Sequence, residues 1–395
     1  MKTAFAWIVV CGLMLGVGAP AWAGHPDCGV SGGTLLKWPA NSYPVWELCW
    51  LPPAASAGPR GSGLELRDVW YKGIQVAKRI HAPILFAEYR NGAGGNCYRD
   101  WKDTNAKFAA DPTVRNQLGT VPQGSFFATT TCDVSTDPTL SHGTCPFSNL
   151  APNPFVTANC LSPGGVAIED RGDYVLLTTQ YSASWYQYTN RIALYANGDI
   201  APEFGFGNSD GTYNGVTHWH HNYWRMDFDI DGAAHDQIAA NDVPQATEFS
   251  GLRSLIGGPG GGPTHWDVTD SIEGFGYRVT SGPDDYTPAN ESTRSFHTVD
   301  VIGARFINNE YTDTGVNGSN NLSDCTLHTS NLVNNESIAD TDVVLFYRAS
   351  VRDSTANNWP TAGAGAIPQD SMVCKRVGPA ITQIGDWPIF RDDFQ

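Results

Sequence analysis

The segment His218-Trp219-His220-His221-Asn222-Tyr223-Trp224-Arg225-Met226-Asp227-Phe228-Asp229-Ile230-Asp231-Gly232 holds the side chains best suited to chemistry in this chain. Residues two apart on a β-strand face the same side, so His218 and His220 are expected to project their imidazoles together. Neutral imidazole suits copper, zinc, nickel or iron. His221 would point the other way, toward packing or a hydrogen bond. Two histidines two apart in an aromatic-rich strand also fit plain packing, and spacing alone does not separate the readings. Asp227 and Asp229 can share one face as oxygen ligands for a hard cation, or form a solvated acidic hairpin. Asp227, Asp229, Asp231 and Gly232 imitate the opening of an EF-hand loop. Ile238 stands where that loop needs its closing glutamate, so an EF-hand is excluded.

These residues need a scaffold, and the sequence offers strands. The 42 Gly and 25 Pro cut the chain into short pieces with little helical apolar period. Strand-like runs cover 64–71, 173–179 and 343–347. Asn197-Gly198 between apolar stretches predicts a hairpin turn. One short helix is expected around Asp100 to Ala110. Segments 52–63 and 257–263 read as loops inside a domain, since strand-like sequence flanks both without a change of composition.

Lys2, an apolar run to about Gly18 and the Ala21-Trp22-Ala23 pattern read as a signal peptide over residues 1–23. The mature chain, 24–395, is expected to be secreted or periplasmic and to form a single domain. Eight cysteines outside the leader, with no C-x-x-C pair, favour disulfides over zinc ligation, though spacing does not give their pairing. The formal charge is −16, and becomes one unit more negative when Lys2 leaves with the leader. Such a surface argues against nucleic acid or an anionic membrane as partner and attracts cationic ligands.

The H-x-H pair followed by Arg225 and alternating acids resembles the copper-ligand segment of the copper/topaquinone amine oxidases. Other blocks agree in order. Gly63 to Val69 resembles the strand opening that family's catalytic domain, and Arg79 to Tyr89 the next strand, which ends in an active-site tyrosine. Tyr186-Gln187-Tyr188, followed by Asn197-Gly198-Asp199-Ile200, resembles the segment bearing the cofactor precursor. Asn335 to Tyr347 resembles the strand that leads to the third copper ligand. The likeness runs from about Val45 to Pro360, without the extra N-terminal domains of many members.

The resemblance implies a mainly β fold, a large antiparallel β-sandwich, assembled as a homodimer. It implies oxidative deamination of a small cationic primary amine by O2, with copper and a topaquinone made from Tyr186. Tyr186 would be catalytic with Tyr89, and Asp103 would be the general base by its separation from Tyr89, with Asp100 as its rival. His218 and His220 fall on copper ligands. Asp227, Phe228 through its carbonyl, Asp229, Asp342 and Val343 through its carbonyl fall on a calcium-type site. Two positions depart from the family pattern: Asp353 stands where the third copper histidine is expected, and Trp185 replaces the asparagine before the precursor tyrosine. His297, His328 or His221 could supply a third imidazole instead. Three readings follow: a divergent copper amine oxidase, a secreted binding or structural protein keeping the fold and the calcium-type site, or a metal oxidase using two histidines and a carboxylate without a quinone.

Overall fold

The computed structural model describes residues 24–39, 43–51, 55–57, 64–89, 96–99, 167–183, 186–208, 218–253, 263–282, 299–307, 332–353 and 375–388. In chain order the strands are β1 (Thr34–Trp38), β2 (Trp46–Leu51), β3 (Glu65–Tyr71), β4 (Ile74–Tyr89), β5 (Asn96–Arg99), β6 (Ala167–Asp170), β7 (Tyr174–Ala183), β8 (Tyr186–Tyr195), β9 (Ile200–Asn208) and β10 (His218–Phe228). They continue as β11 (Asp236–Ala240), β12 (Val243–Pro244), β13 (Phe249–Gly251), β14 (His265–Asp270), β15 (Gly276–Ser281), β16 (Val301–Arg305), β17 (Val343–Asp353), β18 (Lys375–Val377) and β19 (Pro379–Ile384). The single helix among the described residues is α1 (Cys28–Ser31).

The strands form two antiparallel sheets. The first runs β1-β2-β3-β4-β10-β17-β16-β13, with β5 beside β4. The second runs β12-β11-β14-β15-β19-β9-β8-β7-β6, with β18 beside β9. Strand β10 is central, and its residues 220–228 are buried on both faces, so alternation divides its side chains between two packed layers. Trp224, Met226 and Phe228 join Leu345 and Tyr347 of β17 and meet Ile192, Leu194, Phe204, Tyr277 and Val279 of the second sheet. Tyr223 turns outward into a smaller cluster with Ile84, Ile302, Val344 and Phe346. Fully burying each of the larger apolar chains contributes about 1.5–3 kcal/mol. Hydrogen bonds also cross between the sheets: Trp46 Nε1 donates to the Tyr195 carbonyl at 2.8 Å and the Tyr71 hydroxyl to the Ala196 carbonyl at 3.3 Å.

The large antiparallel sandwich expected from the sequence is therefore the fold. The hairpin at Asn197-Gly198 joins β8 to β9, with Gly198 at φ +97° where a side chain would be strained. Strands outran the sequence reading: β17 extends from Val343 to Asp353 and β4 begins at Ile74. Helix α1 was not foreseen, although Asp27 caps it through Oδ1, accepting from the Gly29 and Val30 amides at 2.9 and 3.3 Å. A Cys28–Cys49 disulfide ties α1 to β2, with Cα atoms 5.5 Å apart. The helix expected around Asp100 lies outside the described residues.

Candidate metal sites

Strands β10 and β17 pair through eleven consecutive rows without a register shift, from His218 opposite Asp353 to Phe228 opposite Val343. On its other side β10 pairs with β4, and there the register slips between Tyr223 and Arg225 and again between Asp227 and Phe228. His218 lies opposite Tyr89 on β4 as well as Asp353 on β17, so three adjacent strands place Tyr89, His218 and Asp353 in one row. His220 lies two rows in, opposite Ala87 and Val351, and is wholly buried. By alternation His220 belongs to the face of Trp224 and Met226, which looks toward the second sheet. The side chains of Tyr89, His218 and Asp353 lie outside the described set. His221 takes the opposite face, where its Nδ1 is 2.8 Å from the Ser350 hydroxyl, so it is engaged away from His220.

Tyr186 begins β8 in the second sheet, opposite Ala183 and Asn208. Only its backbone is described. Trp185, Asp100, Asp103, His297 and His328 lie outside the described residues.

At the far end of the same strand pair, carboxylate oxygens of Asp227, Asp229 and Asp342 all lie within 4.8 Å of one another. Asp229 and Asp342 stand one step past the last paired row, formed by Phe228 and Val343. Asp227 and Asp229 are buried. Asp227 Oδ2 accepts from Arg225 Nη1 at 3.1 Å, and Asp229 Oδ2 accepts from Gln75 Nε2 at 3.2 Å. The Oδ1 atoms of Asp227, Asp229 and Asp342 are buried without a hydrogen-bond donor. Three carboxylates so close, two of them buried and one half-buried, disfavour one another's ionisation. Burial, then Asp227 and Asp342, push Asp229 up to about 8. Burial and Asp227 push Asp342 up to about 7. Burial also raises Asp227, against the pull of Arg225. Orphaned, clustered oxygen acceptors are the donor set a hard divalent cation takes, so these residues fit calcium.

Asp236 was missed by the sequence reading. It is fully buried at the start of β11, its Oδ1 accepts the Ile230 amide at 3.3 Å, and its Oδ2 has no donor. Burial, followed by Asp229, pushes it up to about 10. Asp231 at φ +58° and Gly232 at φ +118° turn the chain back so that β11 can bring it there. The Asp-Gly pair was the legible signal, since it marks the turn after which a second acid returns alongside the first.

A second acidic group, Asp242, His265 and Asp267, is also compact. Arg278 already bridges it, with Nη2 2.8 Å from Asp242 and 2.6 Å from Asp267. The guanidinium bridges both carboxylates, and His265 Nε2 lies 3.2 Å from Asp242, which makes this cluster a surface ion network.

No protein-family profile matches the chain, and no curated protein matches it in sequence. Solved structures do match in fold. The chain is similar to an amine oxidase of Aspergillus nidulans at 16% identity and TM-score 0.53, over 88% of this chain and 51% of that one. It is similar to a copper-containing benzylamine oxidase from Hansenula polymorpha at 13% identity and TM-score 0.54, over 86% and 58%. A lysyl oxidase of Pichia pastoris gives 12% identity and TM-score 0.52, over 86% and 51%. This chain thus spans about half the length of the solved structures it matches, and the likeness is one of fold.

Proposed function

We propose that this protein is a divergent, exported copper amine oxidase that converts a small cationic primary amine, O2 and water to an aldehyde, ammonia and hydrogen peroxide. The observation that carries the reading is the row Tyr89–His218–Asp353 with buried His220 beside it, on the fold of known amine oxidases. Two imidazoles and a carboxylate form a donor set that suits a divalent transition metal. His218, His220 and Asp353 would hold copper, while Asp227, Asp229, Asp342 and the carbonyls of Phe228 and Val343 would hold calcium. A quinone made from Tyr186 would supply the electrophilic carbonyl and electron sink that no ordinary side chain has. Asp103 would take the α-proton of the bound amine, and Tyr89 would orient that amine. Burial of the row's inner end would keep bulk water from the reacting centre. The acidic chain would draw a cationic amine toward it, and the assembly would be a homodimer.

A second reading is favoured by one position. Asp353 is a harder ligand than histidine, and the Asp227–Asp229–Asp342 cluster does not involve it, so a non-catalytic binding protein would keep that cluster alone. The deciding experiment measures metal content and amine-dependent peroxide release on protein purified after export, beside His220→Ala. Copper near one equivalent, with peroxide release that the substitution abolishes, supports the oxidase. Calcium alone and no peroxide with any mono- or diamine supports the binding protein. Iron with peroxide-independent oxidation would point to two-histidine–carboxylate chemistry.

A further inference from the structure

We propose a second transition-metal site, for copper(II), at the mature N-terminus: the Gly24 amine, the His25 amide nitrogen and His25 Nδ1, completed by Glu47. The proposal takes the cleavage after Ala23 as its premise and does not depend on the oxidase reading.

The local chemistry is dictated by three residues, Gly24-His25-Pro26. A free terminal amine, the next amide nitrogen once deprotonated, and the histidine Nδ1 close a five-membered and a six-membered chelate ring around one ion. That is a tetragonal nitrogen set, the geometry copper(II) and nickel(II) prefer. Pro26 has no N–H to lose, so the peptide cannot supply a fourth nitrogen beyond His25. The fourth corner must come from elsewhere, cis to Nδ1 and to the amine.

The fold puts a carboxylate there. His25 Nδ1, the chelating nitrogen, is 2.5 Å from Glu47 Oε2. Ligands about 2.0 Å from a metal at right angles are about 2.8 Å apart, so this pair already has nearly the spacing of two adjacent corners. Glu47 is 3% exposed, and its other oxygen is paired with Lys37. The amine end is held on the same row. Glu47 lies opposite Trp70 in the β2–β3 pairing, and Gly24 rests on the Trp70 ring so closely that a Cβ would come within 2.1 Å of it. The Cys28–Cys49 disulfide pins the segment to β2 two residues from Glu47. The His25 ring remains half exposed, which leaves an entry path for the ion. Binding would release the amide proton, together with the proton of any terminal ammonium. The ion's two charges would then be balanced by the amide anion and the carboxylate, with Lys37 still paired to the other oxygen.

The test is copper(II) titration of the full mature protein, followed by visible circular dichroism and native mass spectrometry, with the N-terminus fixed by intact mass. Amide-coordinated copper gives ligand-field bands at shorter wavelength, and stronger in circular dichroism, than imidazole–carboxylate ligation at His218 and His220 would give. Those bands and one copper equivalent should vanish in His25→Ala and after selective acetylation of the terminal amine, a change that leaves the fold intact. Glu47→Gln should weaken binding about tenfold while keeping the bands. Bands that persist in His25→Ala or in acetylated protein would overturn the site, as would a mature chain that begins anywhere but Gly24. Copper at the histidine pair alone, with no amide bands, overturns it and leaves the oxidase reading standing.

Discussion

Asp353 stands directly opposite His218, the first of eleven unbroken rows that join β10 to β17. In an antiparallel pair, directly opposed residues share a face and lie closer than any other cross-strand neighbours. A histidine at 353 should therefore complete a three-imidazole set. Asp353→His should tighten copper(II) binding about tenfold, read by competition with a chromophoric chelator, and Asp353→Ala should weaken it. Equal copper affinity in all three proteins would mean that position 353 does not touch the metal.

The cofactor forms a separate question, because Trp185 also departs from the family pattern. Aerobic copper loading of wild type and of Trp185→Asn with Asp353→His should leave topaquinone in the peptide holding Tyr186, seen as a gain of two oxygens and loss of two hydrogens. Unmodified Tyr186 in both proteins would favour the binding-protein reading.

Calcium should stabilise this protein through Asp227, Asp229 and Asp342. At a concentration of one hundred times Kd the gain is about 2.7 kcal/mol, large enough to raise the melting temperature by several degrees. Asp229→Ala should remove the calcium-dependent part. A calcium shift of the same size in that variant would show that the ion binds elsewhere.

The calcium effect should also grow with pH. Asp229 at about 8 and Asp342 at about 7 lie above the ordinary carboxylate value in the folded protein. A carboxyl raised on folding contributes stability that is fully present below its unfolded pKa and is lost as pH rises through its folded one. Calcium-free protein should therefore lose stability from about pH 4 toward pH 8 at this cluster, while calcium-saturated protein should not. Melting curves with calcium and with a chelator should diverge across that window. Parallel curves would count against three carboxylates competing for protons and one cation.

Arg225 is wholly buried and pairs with Asp227 at 3.1 Å. Removing one member of a buried pair costs about 3–5 kcal/mol because the other charge is stranded. Arg225→Met should destabilise calcium-free protein by about that much in urea unfolding, and by less when calcium is present to take up the carboxylate. An equal loss in both conditions would mean that the packing of Arg225 against Phe306 and Phe346 dominates.

Much of this was readable from residue order because the signals were local. Strand-like runs marked β3 and β7, two-residue spacing marked β10, and Asn197-Gly198 marked the turn after β8, since these signals are decided within a few residues. What escaped was decided at long range. Asp231-Gly232 announces a turn, but nothing local announces that β11 then buries Asp236 against Asp229, and nothing near Glu47 announces His25. The convergence of Asp342 on Asp227 could be expected only through resemblance, as a separation of 115 positions hides it from any local pattern.

The β10–β17 ladder restricts how this chain can tolerate a change of length. One residue gained or lost within either eleven-residue strand would invert the faces of all that follows, unless a bulge absorbed it. It would also break the pairing of His218 with Asp353 or that of Phe228 with Val343, whichever lay beyond the lesion. Such a variant would forfeit one metal set even where every ligand residue survived. Insertions inherited by relatives should accordingly gather outside these two windows. A relative that keeps the fold yet differs in length within a window should carry a compensating bulge or have lost a site.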